Sequence, residues 1–327
     1  MKEIAAVIPY YQTKPGILRR SISAVLKQDA SLNLQVVIVD DASPVPASAE
    51  LDGLPPSALE SLTILTQNNS GAAAARNRAL DYLDPRTKYV AFLDSDDVWT
   101  EVHLTNAISA LEKGFDFYFS DFFHIGGTVS AFKRAVRAAR LNLQDHKLLA
   151  NSSSSYQYMG DMFTQIIFAN LIGTSTVVYR FHKYPQLRFN DTLVYAGEDY
   201  CFWLALARST DKFVFSTECE CQYGRGVNIY SGSNWGTPHS LDRLIDDIKW
   251  RLYVLRTYSL TRTQHNHIIS GLNAFRKSLI LDIAHRLSHH KPIVSSRLFK
   301  HLLKDPMTIT FIGPVLWAKL LNRKAYG

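Results

Sequence analysis

Residues 89–97 read Tyr-Val-Ala-Phe-Leu-Asp-Ser-Asp-Asp, an apolar run that stops abruptly in acid. A run this short, rich in aromatic and β-branched residues, reads as a strand covered on both faces. Three more runs of the same kind precede it: Ile4 to Pro9, Val36 to Asp40 and Leu62 to Thr66, with the fourth taken as Tyr89 to Asp94. Helical patterns lie between them. Ile17, Ser21 and Val25 keep a 3.6-residue period after Pro15, and Ala72 to Leu83 is Ala-rich with Gly71 just before it. Alternating strand and helix predicts an α/β chain: a doubly wound, mostly parallel sheet with helices on both faces. In such sheets ligands bind beyond the carboxyl ends of the strands.

Those strand ends are polar. Pro9-Tyr10-Tyr11 follows the first, Asp40-Asp41 the second and Asp94-Ser95-Asp96-Asp97 the fourth, which suggests one shared site. In an extended segment Asp94 and Asp96 point to the same side, because side chains alternate with period two. Clustered carboxylates repel unless a cation or proton offsets them, and Mg²⁺ or Mn²⁺ takes such oxygen ligands while bridging to phosphates. The same four residues also suit a solvated loop or the N-cap of a helix starting near Thr100. Gly197-Glu198-Asp199-Tyr200 adds a second acidic pair before the apolar run Cys201 to Ala207. It reads as a helix N-terminus, and a carboxylate there, near neither Lys nor Arg in sequence, could also serve as a general base.

The chain has 327 residues, 46% hydrophobic, enough for a sizeable core. From about Phe115 to Gly224 strand-like runs (Phe115 to Ser120, Thr176 to Arg180, Phe213 to Ser216) mix with a polar tract at Asn151 to Ser155. From Leu241 the period turns helical, with Leu241, Leu244, Ile245, Ile248, Leu252 and Leu255 on one face, then Leu272, Phe275, Leu279, Ile283 and Leu287 on another. The net charge of +7 is uneven: from Ser240 onward 15 Lys and Arg stand against 5 Asp and Glu, a balance of +10 against −3 for the rest. Such a tail suits an anionic partner, nucleic acid or an anionic membrane leaflet. Cys201, Cys219 and Cys221 are too few and too odd for a disulfide framework, which fits a reducing compartment. Residues 1–9 lack the pattern of a signal peptide. Met307 to Ala318 is uncharged but too short to span a bilayer, since a spanning helix needs about 20 residues. It reads as a buried turn or as a membrane-surface contact beside Lys319, Arg323 and Lys324.

Taken in order, Val7-Ile8-Pro9-Tyr10-Tyr11, Val39-Asp40-Asp41-Ala42-Ser43, Asn69-Ser70-Gly71 through Ala75-Arg76-Asn77, Phe92 to Asp97 and Gly197-Glu198-Asp199 resemble the inverting glycosyltransferases of family 2. That resemblance implies the GT-A (nucleotide-diphosphosugar transferase) fold over residues 1–230, a nucleotide-binding half at 1–114 and an acceptor half at 115–230, with a basic helical C-terminal region at 240–327. It implies that Pro9 and Tyr11 border the nucleobase, Asp41 accepts from a uracil ring, Arg76 lies near the nucleotide and Asp94 faces the ribose or sugar. Asp96, with Asp94, would hold a divalent cation, Mn²⁺ or Mg²⁺. Asp199 would be the catalytic base with Glu198 beside it in the substrate site, and Arg225 and Asn228 would be lid or diphosphate contacts. Val7 to Arg20, Ala91 to Trp99, Gly226 to Ile229 and Lys304-Asp305-Pro306 further resemble transferases of succinoglycan exopolysaccharide synthesis. The likeness implies glucosyl transfer from UDP-glucose to a lipid-linked oligosaccharide, by a cytoplasmic protein held peripherally at the inner face of the plasma membrane. The chain lacks the Gln-x-x-Arg-Trp sequence and the spans of processive synthases. Three rivals remain open: a nucleotidyltransferase, which the missing Lys-containing phosphate loop disfavours; a nucleic-acid-binding module, for which the tail has no recognition motif; and a silent scaffold.

Overall fold

The computed structural model describes residues 3–135, 141–227, 233, 235–293 and 296–314. The chain divides into two compact units, Met1–Asp191 with Asp199–Val227, and Thr192–Glu198 with Asn228–Gly327. The first begins β1 (Ile4–Tyr10), α1 (Ile17–Val25), β2 (Leu34–Asp40), α2 (Ala47–Leu51), α3 (Pro56–Leu59), β3 (Leu62–Thr66), α4 (Ala72–Tyr82) and β4 (Tyr89–Phe92). It continues through β5 (Val98–Trp99), α5 (His103–Glu112), β6 (Phe117–Phe123), α6 (Ala131–Arg134), β7 (Lys147–Leu148), β8 (Ser155–Gln157), α7 (Met162–Phe168), β9 (Val178–Tyr179), α8 (Glu198–Ser209) and β10 (Phe213–Gln222).

One sheet runs in the order β3-β2-β1-β4-β9-β6-β10-β8-β7, with β5 paired to β10. The strands β1 to β4 pair in parallel, with Tyr10 beside Asp40 and Val7 beside Phe92, so their carboxyl ends share one edge. Beyond β4 the sheet is mixed. The two-residue β9 is antiparallel to both β4 and β6, whereas β6 and β10 are parallel. Alternate residues of the parallel strands face opposite layers. Ile4, Ala6, Ile8 and Tyr10 join Leu18 and Ile22 of α1 and Leu104 and Leu111 of α5 in one core. On the other face Phe92 and Phe117 meet Phe202 and Trp203 of α8, with Phe92 edge-on to Phe202 at 5.9 Å. Each large side chain fully removed from water contributes about 1.5–3 kcal/mol, so this aromatic layer fixes α8, and the carboxylates at its start, against the sheet.

The strand β10 runs six residues past the expected Ser216. Shifts in register at Ser216, Cys219 and Cys221 keep it paired to β6 while breaking the alternation that pattern reading needs. All three cysteines are free thiols, and burial pushes the Cys219 thiol up to about 11, which makes it unreactive.

The second unit carries α9 (Ser240–Thr257), α10 (Arg262–Ser288), α11 (Ser296–Lys304) and a 3-10 turn at Pro306–Phe311. Leu241, Leu244, Ile245 and Ile248 of α9 pack with Leu272 and Leu279 of α10 and Leu298 of α11. Helix α10 starts ten residues before Leu272 because a capping box sets its start: Thr261 Oγ1 accepts from the Gln264 amide and Gln264 Oε1 from the Thr261 amide. Among the described residues no helix is long and apolar enough to cross a membrane. Val315 to Ala318, Lys319, Arg323 and Lys324 lie outside the described residues.

Candidate active site at the carboxyl edge of the sheet

The chain leaves β4 at Phe92 and turns at once. The Asp97 amide donates to the Asp94 carbonyl at 3.0 Å, so residues 94–97 form a turn. This corrects the expectation of an extended segment: strand pairing ends at Phe92, and period-two alternation does not govern Asp94 and Asp96. The two carboxylates are nonetheless close enough to interact. Burial, and then the charge of Asp94, raise the Asp96 carboxyl above its ordinary value. Asp97 is 3% exposed and is raised well above that value, by burial first and then by Asp94 and Asp96. Its Oδ2 accepts from Ser175 Oγ at 2.6 Å and its Oδ1 from the Gly224 amide at 2.8 Å. Asp97 therefore holds the turn in place, while Asp94 and Asp96 stay partly open.

Arg76, on α4 and 3% exposed, donates to Asp94 Oδ1 at 2.6 Å and lies over the Phe189 ring at 5.2 Å. It also reaches Asp199 electrostatically. Burial raises the Asp199 carboxyl, Arg76 pulls it down, and Asp94 pushes it up again. Distance in sequence thus misled: no Lys or Arg is near Asp199 along the chain, yet the Arg76 charge acts on it in the fold. Asp199 Oδ1 accepts from the Tyr200 amide at 2.8 Å in the first turn of α8, so the acidic pair does sit at a helix N-terminus. The structure brings Asp94, Asp96, Arg76 and Asp199 into one electrostatic neighbourhood. Glu198 is half-buried beside Asp199.

The other expected residues serve the edge in different ways. Asp41 is 3% exposed and accepts from Gln67 Nε2, the Ser70 amide and the Gly71 amide at 2.7–2.8 Å. These donors pin the loop that starts α4, where Gly71 has φ +90°, and a carboxylate's four lone-pair positions leave one further acceptor at Oδ2. Asp40 is engaged locally, each oxygen accepting one bond, from the Ser43 and Ala47 amides. Pro9 is buried within β1, Tyr11 is half-buried just past its end, and Arg225 is exposed. Asn228 lies outside the described residues.

Several partners had no signal in the pattern. Gln12 links three segments: its Nε2 donates to Ser95 Oγ at 3.1 Å, its Oε1 accepts from the Val227 amide, and its backbone binds Ser43. The segment 224–227 lies across the acidic turn. Gly226 donates to Asp96 Oδ2 at 2.7 Å, Arg20 Nη2 donates to the Asp96 carbonyl, and a Cβ at Gly224 would overlap that same carbonyl oxygen. The Gly-x-Gly spacing after β10 was the one clue to this crossing. A separate polar cleft of about 500 Å³, bordered by Asn106, Ser109, Ser153 and Glu218, contains none of these residues.

Among the described residues no three His, Cys, Asp or Glu side chains are grouped to hold a metal ion by themselves. Two hard carboxylates still suit Mg²⁺ or Mn²⁺, which completes its shell with water and phosphate oxygens. Asp94 Oδ2 and Asp96 Oδ1 are the atoms not taken by Arg76 and Gly226. Burial first, and neighbouring carboxylates second, raise the Asp96 and Asp97 carboxyls, and a bound cation would relieve the second of these. The donor set fits such a cation.

Comparison with known proteins follows the same line. The chain is 30% identical to the succinoglycan biosynthesis protein ExoW of Rhizobium meliloti, over 98% of this chain and 99% of that one. A UDP-Glc:alpha-D-GlcNAc-diphosphoundecaprenol beta-1,3-glucosyltransferase of Escherichia coli, WfgD, is 36% identical over 34% of this chain and 41% of its own. Among solved structures, the mannosyltransferase PcManGT of Pyrobaculum calidifontis, in complex with GDP-Man and Mn²⁺, shares the fold at a TM-score of 0.53 and 13% identity, covering 98% of this chain and 86% of that one. The family model for glycosyl transferase family 2 matches residues 5–182, the stretch that carries β1, the acidic turn and Arg76. The chain belongs to glycosyl transferase family 2.

Proposed function

We propose that this glycosyltransferase moves one glucosyl residue from UDP-glucose to a lipid-linked oligosaccharide in bacterial exopolysaccharide synthesis, inverting the anomeric centre. The observation that carries the reading is the placement of Arg76, bonded to Asp94 of the acidic turn, where both charges act on Asp199. Residues 1–114 would bind the donor and 115–230 the acceptor. The relatives' names support the substrate classes, since WfgD takes UDP-Glc and a diphosphoundecaprenol acceptor.

In this reading Pro9 and Tyr11 border the base, the remaining acceptor position of Asp41 meets the uracil imide, and Arg225 meets the diphosphate with Arg76 nearby. Asp199 takes the proton of an acceptor hydroxyl as that oxygen bonds to the anomeric carbon. The bond from that carbon to the donor phosphate oxygen breaks, and its electron pair leaves with UDP. A carboxyl raised by burial is a stronger base than an ordinary one, and Glu198 beside it orients the acceptor. Asp94 and Asp96 would hold a divalent cation, which when bound supplies charge stabilisation for the departing diphosphate. Because one displacement suffices, no sugar-enzyme intermediate forms.

A panel of nucleotide sugars, assayed with and without Mn²⁺ or Mg²⁺ on wild type and Asp96→Ala, tests this. Slow metal-dependent release of UDP from UDP-glucose, lost in Asp96→Ala, is the expected result. Release from no donor, with no nucleotide-sugar stabilisation of the fold, would overturn it.

A further inference from the structure

Among the described residues of the second unit, α11 has an apolar arc wider than its contact with the core. Along α11 the inward residues are Leu298 and His301, while Phe299 is 66% and Leu303 68% exposed. The 3-10 turn that follows leaves Met307 54% and Ile309 48% exposed. Water-facing large side chains in this number are costly unless something covers them. Lys300 and Lys304, each one residue after an exposed apolar position, form an adjacent exposed stripe, because residues four apart share a helix face. The helix holds no acidic residue.

This end is held firmly rather than frayed. Arg276 of α10 grips Asp305 with two bonds, Nε to Oδ2 at 2.9 Å and Nη2 to Oδ1 at 2.5 Å. Thr308, fully buried, donates to Asp305 Oδ2 and meets His301 Nε2 at 3.1 Å. A rigid support that presents bare apolar side chains beside lysines is a built surface.

We propose that α11 and the turn after it dock onto an anionic phospholipid bilayer, with Phe299, Leu303, Met307 and Ile309 entering the acyl boundary and Lys300 and Lys304 meeting the headgroups. Charge decides the occupant. A second copy of the chain seated on this face would bring a second lysine stripe to a helix with no acidic side chain to meet it, whereas anionic headgroups neutralise the lysines. The apolar wedge supplies depth and the lysines supply selectivity for charge. The inference deepens the lipid-linked acceptor reading, since a chain held on the bilayer meets such an acceptor at high local concentration.

The test is co-sedimentation of the full chain with vesicles of phosphatidylglycerol mixed with phosphatidylcholine, and of phosphatidylcholine alone. Wild type pellets with the mixed vesicles and is released by salt. Phe299→Ser with Leu303→Ser, and separately Lys300→Glu with Lys304→Glu, each lower binding about tenfold or more. All four positions are exposed, so both variants keep the wild-type melting curve. Release of UDP from a water-soluble donor is unchanged in both, so failure of that assay in wild type would count against the transferase reading alone. Binding that is equal in wild type and variants, or indifferent to lipid charge, overturns the docking surface. So does a wild-type dimer that Phe299→Ser with Leu303→Ser converts to monomer in the absence of vesicle binding.

Discussion

Asp199 feels two opposite neighbours, and their signs give a test at the scale of single residues. Its carboxyl is raised by burial, lowered by Arg76 and raised by Asp94. A base works only when ionised, so the acid limb of the kcat/KM profile should lie above the ordinary carboxylate range. Arg76→Met removes the lowering influence and should move that limb further up, while Asp94→Asn should move it down. A limb that stays put in both variants would remove Asp199 from the titration. Asp199→Asn should cut kcat by about 10²- to 10⁴-fold, the usual worth of general base catalysis, with UDP affinity kept within a few-fold. Turnover close to wild type would sink the base assignment. At this scale the clustering of acid was legible where it adjoins a local pattern: Asp94, Asp96 and Asp199 each follow or precede an apolar run. The sequence was silent on Gln12 and Ser175, and on the partner of Gly226, since these bonds join residues 78 to 215 positions apart. No local period records such a pairing.

The elements that shape the edge are the acidic turn and the segment 224–227 crossing it, and their fit depends on a missing Cβ. A methyl group at Gly224 would overlap the Asp96 carbonyl oxygen, a backbone atom that cannot rotate away. Gly224→Ala should therefore cost about 1–3 kcal/mol by denaturant unfolding, the range for forced overpacking, and should lower metal-dependent turnover. Gly313→Ala, where nothing among the described residues lies within 4 Å, is the matched control. Equal stability of the two variants would show that the crossing is loose. Ser175→Ala removes the 2.6 Å bond to the buried Asp97 and should cost about 1–3 kcal/mol, the penalty for stripping a buried acceptor. Element boundaries were legible where one face is apolar throughout, as in β1, α1 and β3. They were obscured in three places. Bulges break the alternation of β10. Gln264, only 4% exposed, puts a polar residue in the inward face of α10, and two-residue β9 is too short to carry a period.

For the whole molecule, the uneven distribution of buried acid ties stability to pH and to cations. Asp96, Asp97 and Asp199 all have carboxyls raised in the folded chain, each by burial first. A group raised on folding binds protons more readily in the native state, so its contribution is fully present below the unfolded value and is lost as pH rises through the folded one. Asp305 has the opposite sign. Burial alone would raise it, but the bonds from Arg276 and Thr308 outweigh that and hold it low, so its contribution is present above the unfolded value and lost as pH falls through the folded one. Between neutral and mildly acidic pH the raised group dominates, and stability of the sheet unit should rise on acidification, whereas the helical unit should lose stability at lower pH, where Asp305 protonates and its pair with Arg276 breaks. A divalent cation at the acidic turn competes with the proton that Asp96 binds. Mn²⁺ should thus raise the Tm more at pH values near neutral than in mild acid, and Asp96→Ala should raise the metal-free Tm at neutral pH while losing the response to Mn²⁺. Thermal melts of both chains across that pH range decide it, since a Mn²⁺ shift that is the same at every pH, or that survives in Asp96→Ala, would place cation binding somewhere other than the acidic turn.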